Sequence, residues 1–338
     1  MLEFKTKAAQ IAVEVLRDTG AERRIHEDGY TRVDPLWIAA MQGVMVMRRP
    51  FEKLLGAFVR ESTPGIIINS DRPTGLIHLT CAHELGHYFL GHESTADEHI
   101  QYDKDAALQE READWFAYCL LTSRGVLAQT MRRKGWSIAA LRDPLNLYQL
   151  SLRIGVSYAA MAWSLARLKL WASSDADRMT RTEPAEIKRS ILSRGDFEAR
   201  NDVWLLDERD RELILEPSVR DQIVVRLPNH APSGYLWSLD EAHSEGFRIQ
   251  PLDTSARPAA AEPPSTTNAE ADHLLIGHTE RGKFAGQILP LIFTEKRPWE
   301  SKSEDEARFR TSVGFEEAGE GLSAGSRRRL LQEGAPAA

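Results

Sequence analysis

The stretch His83-Glu84-Leu85-Gly86-His87 constrains this chain more than any other. Leu76, Ile77, Leu79 and Cys81 precede it, and Tyr88, Phe89 and Leu90 follow it. The segment therefore reads as a helix from about Thr74 to Leu90 that is apolar on most of its sides. Such a helix packs inside a fold. Two imidazoles and a carboxylate carried inside with it need partners, because bare polar groups are costly to bury. Positions i and i+4 share one helical face, so His83 and His87 can bind one metal ion together. Glu84 lies about a hundred degrees round the helix, within reach of a water on that ion. Zinc takes at least one further protein ligand and, in a catalytic site, keeps one position open. The chain must fold so that this helix is covered and a second element brings the missing ligand.

Glu110-Arg111-Glu112-Ala113-Asp114-Trp115-Phe116-Ala117 offers the candidates. Glu110 and Asp114 lie one helical turn apart on a common face. Glu110 can complete a His-His-Glu set. Asp114 can receive the free ring N–H of a ligating histidine, which fixes the tautomer and raises ligand basicity. Glu112 competes for the ligand position but points to another face, which favours Glu110. A solvated helix start would also carry acidic residues, yet the apolar run Trp115–Leu121 takes this helix inside. Gly91 and His92 approach the pattern H-E-x-x-H-x-x-G-x-x-H, with the glycine one residue late and the histidine one early. That departure favours His-His-Glu and leaves His92 as a residue lining the site. His99 is a further candidate, for stabilising an oxyanion. The expected chemistry is peptide hydrolysis with one Zn2+. Zinc lowers the pKa of its bound water to about 7 and polarises the carbonyl. Glu84, the catalytic residue, takes the water proton as general base and delivers it to the leaving amine.

The 338 residues allow two or three domains. Hydrophobic residues make up 42% and charged residues 28%, the balance of an ordinary globular protein. No apolar run approaches the roughly 18 residues that cross a bilayer, and the start of the chain reads as an amphipathic helix rather than a signal peptide. Two cysteines, Cys81 and Cys119, are too few for a disulfide framework and read as buried thiols. A cytoplasmic protein without membrane partners is expected. The formal charge of −7 is uneven: residues 122–172 carry Arg124, Arg132, Arg133, Lys134, Arg142, Arg153, Arg167 and Lys169 against Asp143 alone. A basic segment in an acidic chain suggests an anionic partner, with nucleic acid among the options.

Five regions follow from the pattern. Residues 1–121 read as one α+β unit, with a helix ending near Gly20, a second from Asp34-Pro35 to Gly43, and strands at Val44–Met47, Leu54–Val59 and Gly65–Ile68. Residues 122–172 read as a basic helical extension and 173–197 as a linker. Residues 198–315 read as an all-β domain, with strands at Val203–Leu206, Gln222–Leu227, Tyr235–Leu239 and Ile288–Phe293 and a low-complexity loop over 254–271. Residues 316–338 read as a disordered tail.

The His83–His87 helix, the helix with Glu110, Glu112-Ala113-Asp114, Phe116-Ala117 and Leu120-Leu121, and the Gly65-Ile66-Ile67-Ile68-Asn69 strand together resemble the ImmA/IrrE family of metallopeptidases over roughly residues 1–170. The resemblance implies a zincin-like, gluzincin-type α+β fold and a bacterial or phage origin. It also implies site-specific cleavage of a helix-turn-helix repressor or antitoxin. Thr122-Ser123 departs from the Met-Pro that commonly follows the Leu-Leu pair in that family.

Leu147 to Ile154, a turn at Gly155 and a helix from an N-cap at Ser157 have helix-turn-helix spacing, which relatives of that family also carry after the peptidase core. Residues 158–166 are mostly Ala, Met, Trp and Leu, a face suited to packing or a protein partner more than to reading bases.

In the β domain, Pro232-Ser233-Gly234-Tyr235-Leu236-Trp237 and Lys296-Arg297-Pro298-Trp299-Glu300 put arginine, proline and aromatics on loops, which are typical contact residues. Gly234, Tyr235, Trp237, Arg297, Pro298 and Trp299 are the candidate partner-binding residues. About residues 198–302 resemble the chagasin-like inhibitors of papain-type cysteine proteases, whose immunoglobulin-like fold presents a Pro-Thr-Thr-Gly-Tyr-x-Trp loop and an Arg-Pro-Trp loop. Here Ser233 replaces a threonine, and the segment Gly277 to Gly282 lacks the close glycines of that family's middle loop. Substrate docking or regulation of the attached peptidase is therefore at least as well supported as protease inhibition. The expectation for the whole is a multidomain zinc endopeptidase whose β domain binds substrate or partner. The alternatives are a non-proteolytic regulator with a structural metal site and an inhibitor of cysteine proteases.

Overall fold

A computed structural model describes residues 3–97, 108–192, 198, 200–241, 243–244, 247–252, 270–277, 286–299, 307–316 and 319–333. The chain divides into two compact units. The first comprises Met1–Met131, Leu150–Met179 and Glu317–Ala338; the second comprises Arg132–Gln149 and Thr180–Glu316.

The first unit opens with α1 (Glu3–Asp18), α2 (Ala21–His26) and α3 (Pro35–Met41). Ala8, Ala12, Val15 and Leu16 bury one face of α1. Asp34 caps α3 by accepting from the N–H groups of Leu36 and Trp37, and Pro35 fits the first helical position, where its missing donor costs nothing. Strands β1 (Met45–Arg49), β2 (Gly56–Val59) and β3 (Gly65–Asn69) follow. β1 and β3 are parallel, with Met45 opposite Gly65, and β2 runs antiparallel to β3. Val46, Phe58, Ile66 and Ile68 bury one side of this sheet, each stabilising by roughly 1.5–3 kcal/mol.

Helix α4 (Thr74–Leu90) packs on β2, β3 and α5 (Leu108–Leu121), and α1 packs on α5 and α4. Asn69 sets the entry to α4. It is wholly buried, donates to the carbonyls of Phe51 and Leu54, and accepts from the N–H groups of Phe51 and Asp71. β4 (Thr95–Asp97) pairs antiparallel with β2. Then come α6 (Arg124–Lys134), α7 (Pro144–Ile154), α8 (Tyr158–Arg167) and α9 (Ser173–Thr180). The division between units falls inside α6, α7 and α9.

The turn between α7 and α8 matches the spacing in the sequence: Gly155 has φ +77° and the Ser157 hydroxyl accepts from the Ala160 N–H. Tyr158, Met161, Ala162, Ser164 and Leu165 are buried. The turn also seats the start of α4, since a Cβ on Gly75 would come within 2.6 Å of the Ser157 nitrogen. His78 meets the Gly155 carbonyl at 2.9 Å.

The second unit adds α10 (Pro184–Leu192), then β5 (Val203–Leu206), β6 (Ile214–Leu215), β7 (Gln222–Pro228), β8 (Leu236–Leu239), β9 (Phe247–Pro251), β10 (Glu270–Gly277), β11 (Ile288–Lys296) and β12 (Ala307–Gly314). They form two four-stranded sheets, β5-β7-β10-β9 and β6-β12-β11-β8. Residues 132–149 belong with them through polar contacts. Gln149 treats β5 as a neighbouring strand would, donating to the Val203 carbonyl and accepting from the Leu205 N–H. The buried Lys134 ammonium meets Asp207 and Asp210, each at 2.7 Å. Asp221 accepts from the Trp204 indole and from the N–H groups of Asp202 and Ser218. Burial and the neighbouring Asp202 push its carboxyl up to about 7.

The chain then returns to the first unit as β13 (Gly321–Leu322) and α11 (Ala324–Glu333). β13 pairs with β1 and gives the order β13-β1-β3-β2-β4. Ser326 accepts from the Val46 N–H, and Ser323 donates its N–H to the Val46 carbonyl.

Two expectations differ from this structure. The segment read as a linker, 173–197, contains α9 and α10. Its Ser-Ser-Asp and Glu-Pro pieces are helix starts, and Ala176, Met179, Ile187, Ile191 and Leu192 are the buried faces behind them. Within the segment read as a disordered tail, 319–333 are ordered on the first unit by backbone and hydroxyl bonds that composition does not display. Most of the 254–271 loop lies outside the described residues. Among the described residues, no helix is long and apolar enough to cross a membrane.

Candidate metal centre

Every residue of α4 from His78 to His87 is buried, as an all-round apolar helix requires. One turn brings His83 and His87 together, with their Nε2 atoms 3.0 Å apart. α5 approaches closely because Gly86 has no side chain; a Cβ there would lie 2.9 Å from the Ala113 Cα. That approach brings in Glu110, with Oε2 3.2 Å from His83 Nε2 and Oε1 3.6 Å from His87 Nε2. One ligand atom from each of His83, His87 and Glu110 lies within 4.8 Å of the others.

The outer nitrogens of the two imidazoles are also engaged. His83 Nδ1 is 2.9 Å from Asp114 Oδ1, one turn along α5 from Glu110. A carboxylate only accepts, so the ring hydrogen of neutral His83 sits on Nδ1. His87 Nδ1 is 3.0 Å from His92 Nδ1, and His92 Nε2 is 3.0 Å from Glu112 Oε2. The same logic runs back from Glu112: His92 donates from Nε2, accepts at Nδ1, and takes the hydrogen of His87 Nδ1. Both Nε2 atoms then turn their acceptor side toward each other and Glu110.

Three acceptors converge without a hydrogen among them, which suits a cation. Tetrahedral bonds of about 2.0–2.1 Å set ligand atoms about 3.3 Å apart, and the three distances bracket that value. Burial alone would raise the Glu110 carboxyl, but the adjoining His83 and His87 rings hold it well below the usual carboxylate range. Burial lowers the pKa of His92 against the pull of Glu112.

Glu84 is wholly buried beside these ligands. Its carboxylate lies against the backbone of β2, where a Cβ on Gly56 would come within 2.5 Å of Glu84 Oε1. Cys81 and Cys119 have thiols pushed up by burial, so neither is a ready thiolate.

Of the candidates in the sequence, His83, His87 and Glu110 come together, with Glu84 adjacent and Asp114 on His83. Glu112 takes the other role, on His92, and His99 lies outside the described residues. The link from His92 to Glu112 was not anticipated. Its signal was Gly91. A left-handed glycine after a helix (φ +79°) folds the next residue back over the last turn, and the His92 N–H donates to the His87 carbonyl.

In the second unit the two candidate loops meet. β8 and β11 pair with Trp237 opposite Glu295 and Leu236 opposite Lys296. The Trp299 ring covers Gly234, where a Cβ would lie 2.6 Å from Cη2. The Arg297 guanidinium stacks 4.5 Å from the Tyr235 ring centroid, and the Trp237 indole donates to the Pro228 carbonyl. Trp299 is 70% exposed, so this patch faces solvent. Apart from Gly277, the segment Gly277 to Gly282 lies outside the described residues.

The family model of Peptidase M78, the IrrE N-terminal-like domain, matches residues 39–165. That span contains α4, α5 and every residue of the cluster. No curated protein matches the chain. Among solved structures, the cysteine protease inhibitor EhICP2 from Entamoeba histolytica is similar at 20% identity over 34% of this chain and 95% of its own, with a TM-score of 0.25. Amebosin, solved in solution, is similar at 16% identity over 34% of this chain and 98% of its own, with a TM-score of 0.25. The first is by name of the class that residues 198–302 resemble; at that TM-score neither likeness carries an argument about fold or activity.

Proposed function

With residues 39–165 matching a peptidase-family domain, we propose that this chain is a zinc-dependent endopeptidase with a gluzincin-type catalytic unit and an immunoglobulin-like β unit that docks substrate or partner. The observation that carries the reading is the convergence of three ligand atoms, from His83, His87 and Glu110, with the outer ring nitrogens of both histidines engaged elsewhere. His83, His87 and Glu110 would hold one zinc ion. When bound, that ion acidifies a water and polarises a carbonyl oxygen.

The remaining chemistry belongs to the chain. Glu84 takes the proton of the attacking water at its carboxylate and hands it to the leaving amine as the C–N bond breaks. Burial keeps competing water away from that carboxylate. Asp114 keeps the hydrogen of His83 on Nδ1. Strand β4 ends the sheet beside β2 and offers backbone groups to which an extended peptide can pair. The substrate class, a helix-turn-helix repressor or antitoxin, follows from the ImmA/IrrE resemblance. The patch of Gly234, Tyr235, Trp237, Arg297, Pro298 and Trp299 is the proposed contact for that protein or for another partner.

The test is incubation with a small helix-turn-helix repressor or antitoxin, the product of a neighbouring gene where one encodes such a protein, followed by mass spectrometry. Wild type should cleave it at a defined bond. Glu84→Gln should keep its zinc and lose at least about a hundredfold in rate, the scale of a lost general base. A Glu84→Gln protein as active as wild type contradicts the assignment.

A further inference from the structure

We propose that His92 and Glu112 form a positioning relay that fixes the tautomer of His87 and so sets how tightly the site holds its metal ion; the inference rests on the metal-site reading above. The two ligand histidines are supported differently. His83 meets a carboxylate directly, at 2.9 Å. His87 meets one only through a second imidazole, with 3.0 Å from His87 to His92 and 3.0 Å from His92 to Glu112.

Two ring nitrogens at 3.0 Å share one hydrogen, and its owner decides whether His87 can ligate. If His92 donates from Nδ1, His87 must accept at Nδ1, and its own hydrogen moves to Nε2, the metal face. If His92 carries its hydrogen on Nε2, His87 donates from Nδ1 and Nε2 is free. Glu112 selects the second arrangement, because a carboxylate can only accept. The relay is therefore directional, and the metal-competent tautomer is set two groups away from the metal.

The backbone holds the relay in register. Gly91 in the left-handed region closes α4, and the His92 N–H bonds the His87 carbonyl at 2.9 Å. Arg60 clamps the same turn. Its Nε donates to the His92 carbonyl at 2.6 Å, and its Nη2 donates to the carbonyls of His87 and Tyr88 at 3.0 and 2.9 Å. On the other side, α5 supplies both Glu110 to the metal face and Glu112 to the relay. His92 is 6% exposed and Glu112 9%, so water is a poor substitute for either partner.

The experiment is zinc affinity of the full chain, measured by competition with a chelator. Glu112→Ala and His92→Phe should each lose about 10–100-fold, the usual effect of removing a partner of a ligand histidine. Glu112→Gln, whose amide oxygen still accepts, and His92→Asn, whose oxygen stands where the ring Nδ1 was, should each lose less than about tenfold. Side-chain 15N spectra of the zinc-free protein add a readout that a purely structural role would not move. His92 should be the Nε2–H form in wild type and a mixture of tautomers in Glu112→Ala. Should Glu112→Ala fail to fold, His92→Phe against His92→Asn makes the same comparison. Glu112→Ala and His92→Phe proteins that bind zinc like wild type, while His83→Ala does not, overturn the relay and leave the metal site standing. A wild-type chain that binds no zinc overturns both.

Discussion

The α4–α5 cluster and the β8–β11 loop patch are built alike and behave differently. Each joins two sequence motifs from distant parts of the chain. In the first, every group is buried or half-buried and charged or polar, so its neighbours are dictated by chemistry. His83 meets Asp114 and Glu110, both carried by α5, and His87 meets Glu110 and His92. In the second, Trp299 and Leu236 face water, and nothing inside the unit demands a particular partner. Burial turns a motif into a set of obligations, whereas an exposed motif states only an opportunity.

That contrast can be broken at either end. The larger effect is expected at Gly86, where a side chain meets the Ala113 backbone rather than a movable group. Gly86→Val should destabilise the protein by about 3 kcal/mol and weaken zinc binding as well, because α5 carries Glu110. Denaturant melts and zinc competition on the same protein would measure both, and a wild-type affinity would mean that α5 is not held by this contact. The smaller effect is expected at Trp299. Trp299→Ala should change stability by no more than about 0.5 kcal/mol and leave zinc content unchanged, since its exposed ring supports no core. A cooperative loss of stability there would make the patch a structural element and remove the contrast.

Much of the first unit could be read from the chain itself because its signals are local. Helix α4 spans Thr74–Leu90 as its apolar pattern implied, Asp34-Pro35 starts α3, and Ser157 caps α8 after the glycine turn. Glu110 and Asp114 both lie against His83, and their shared helical face was readable from their spacing. The partner of Glu112 was not, because a reading based on one helical face ignores a residue folded back by a left-handed cap. The strands β6, β9, β10 and β12 were also missed. β12 buries Phe309, Thr311 and Val313 in alternation, but charged Arg308 and Arg310 sit between them and mask a short apolar run. β13 and α11 were illegible for another reason. Their anchorage is to backbone groups of Val46, Met47 and Arg48, some 280 residues earlier, and such bonds leave no side-chain pattern.

Metal analysis of purified wild type beside Glu110→Ala tests the central claim most directly. The account predicts one zinc ion per chain in wild type and its loss in Glu110→Ala, in a protein that remains folded. Wild type without a metal ion, or Glu110→Ala with a full complement, would contradict it.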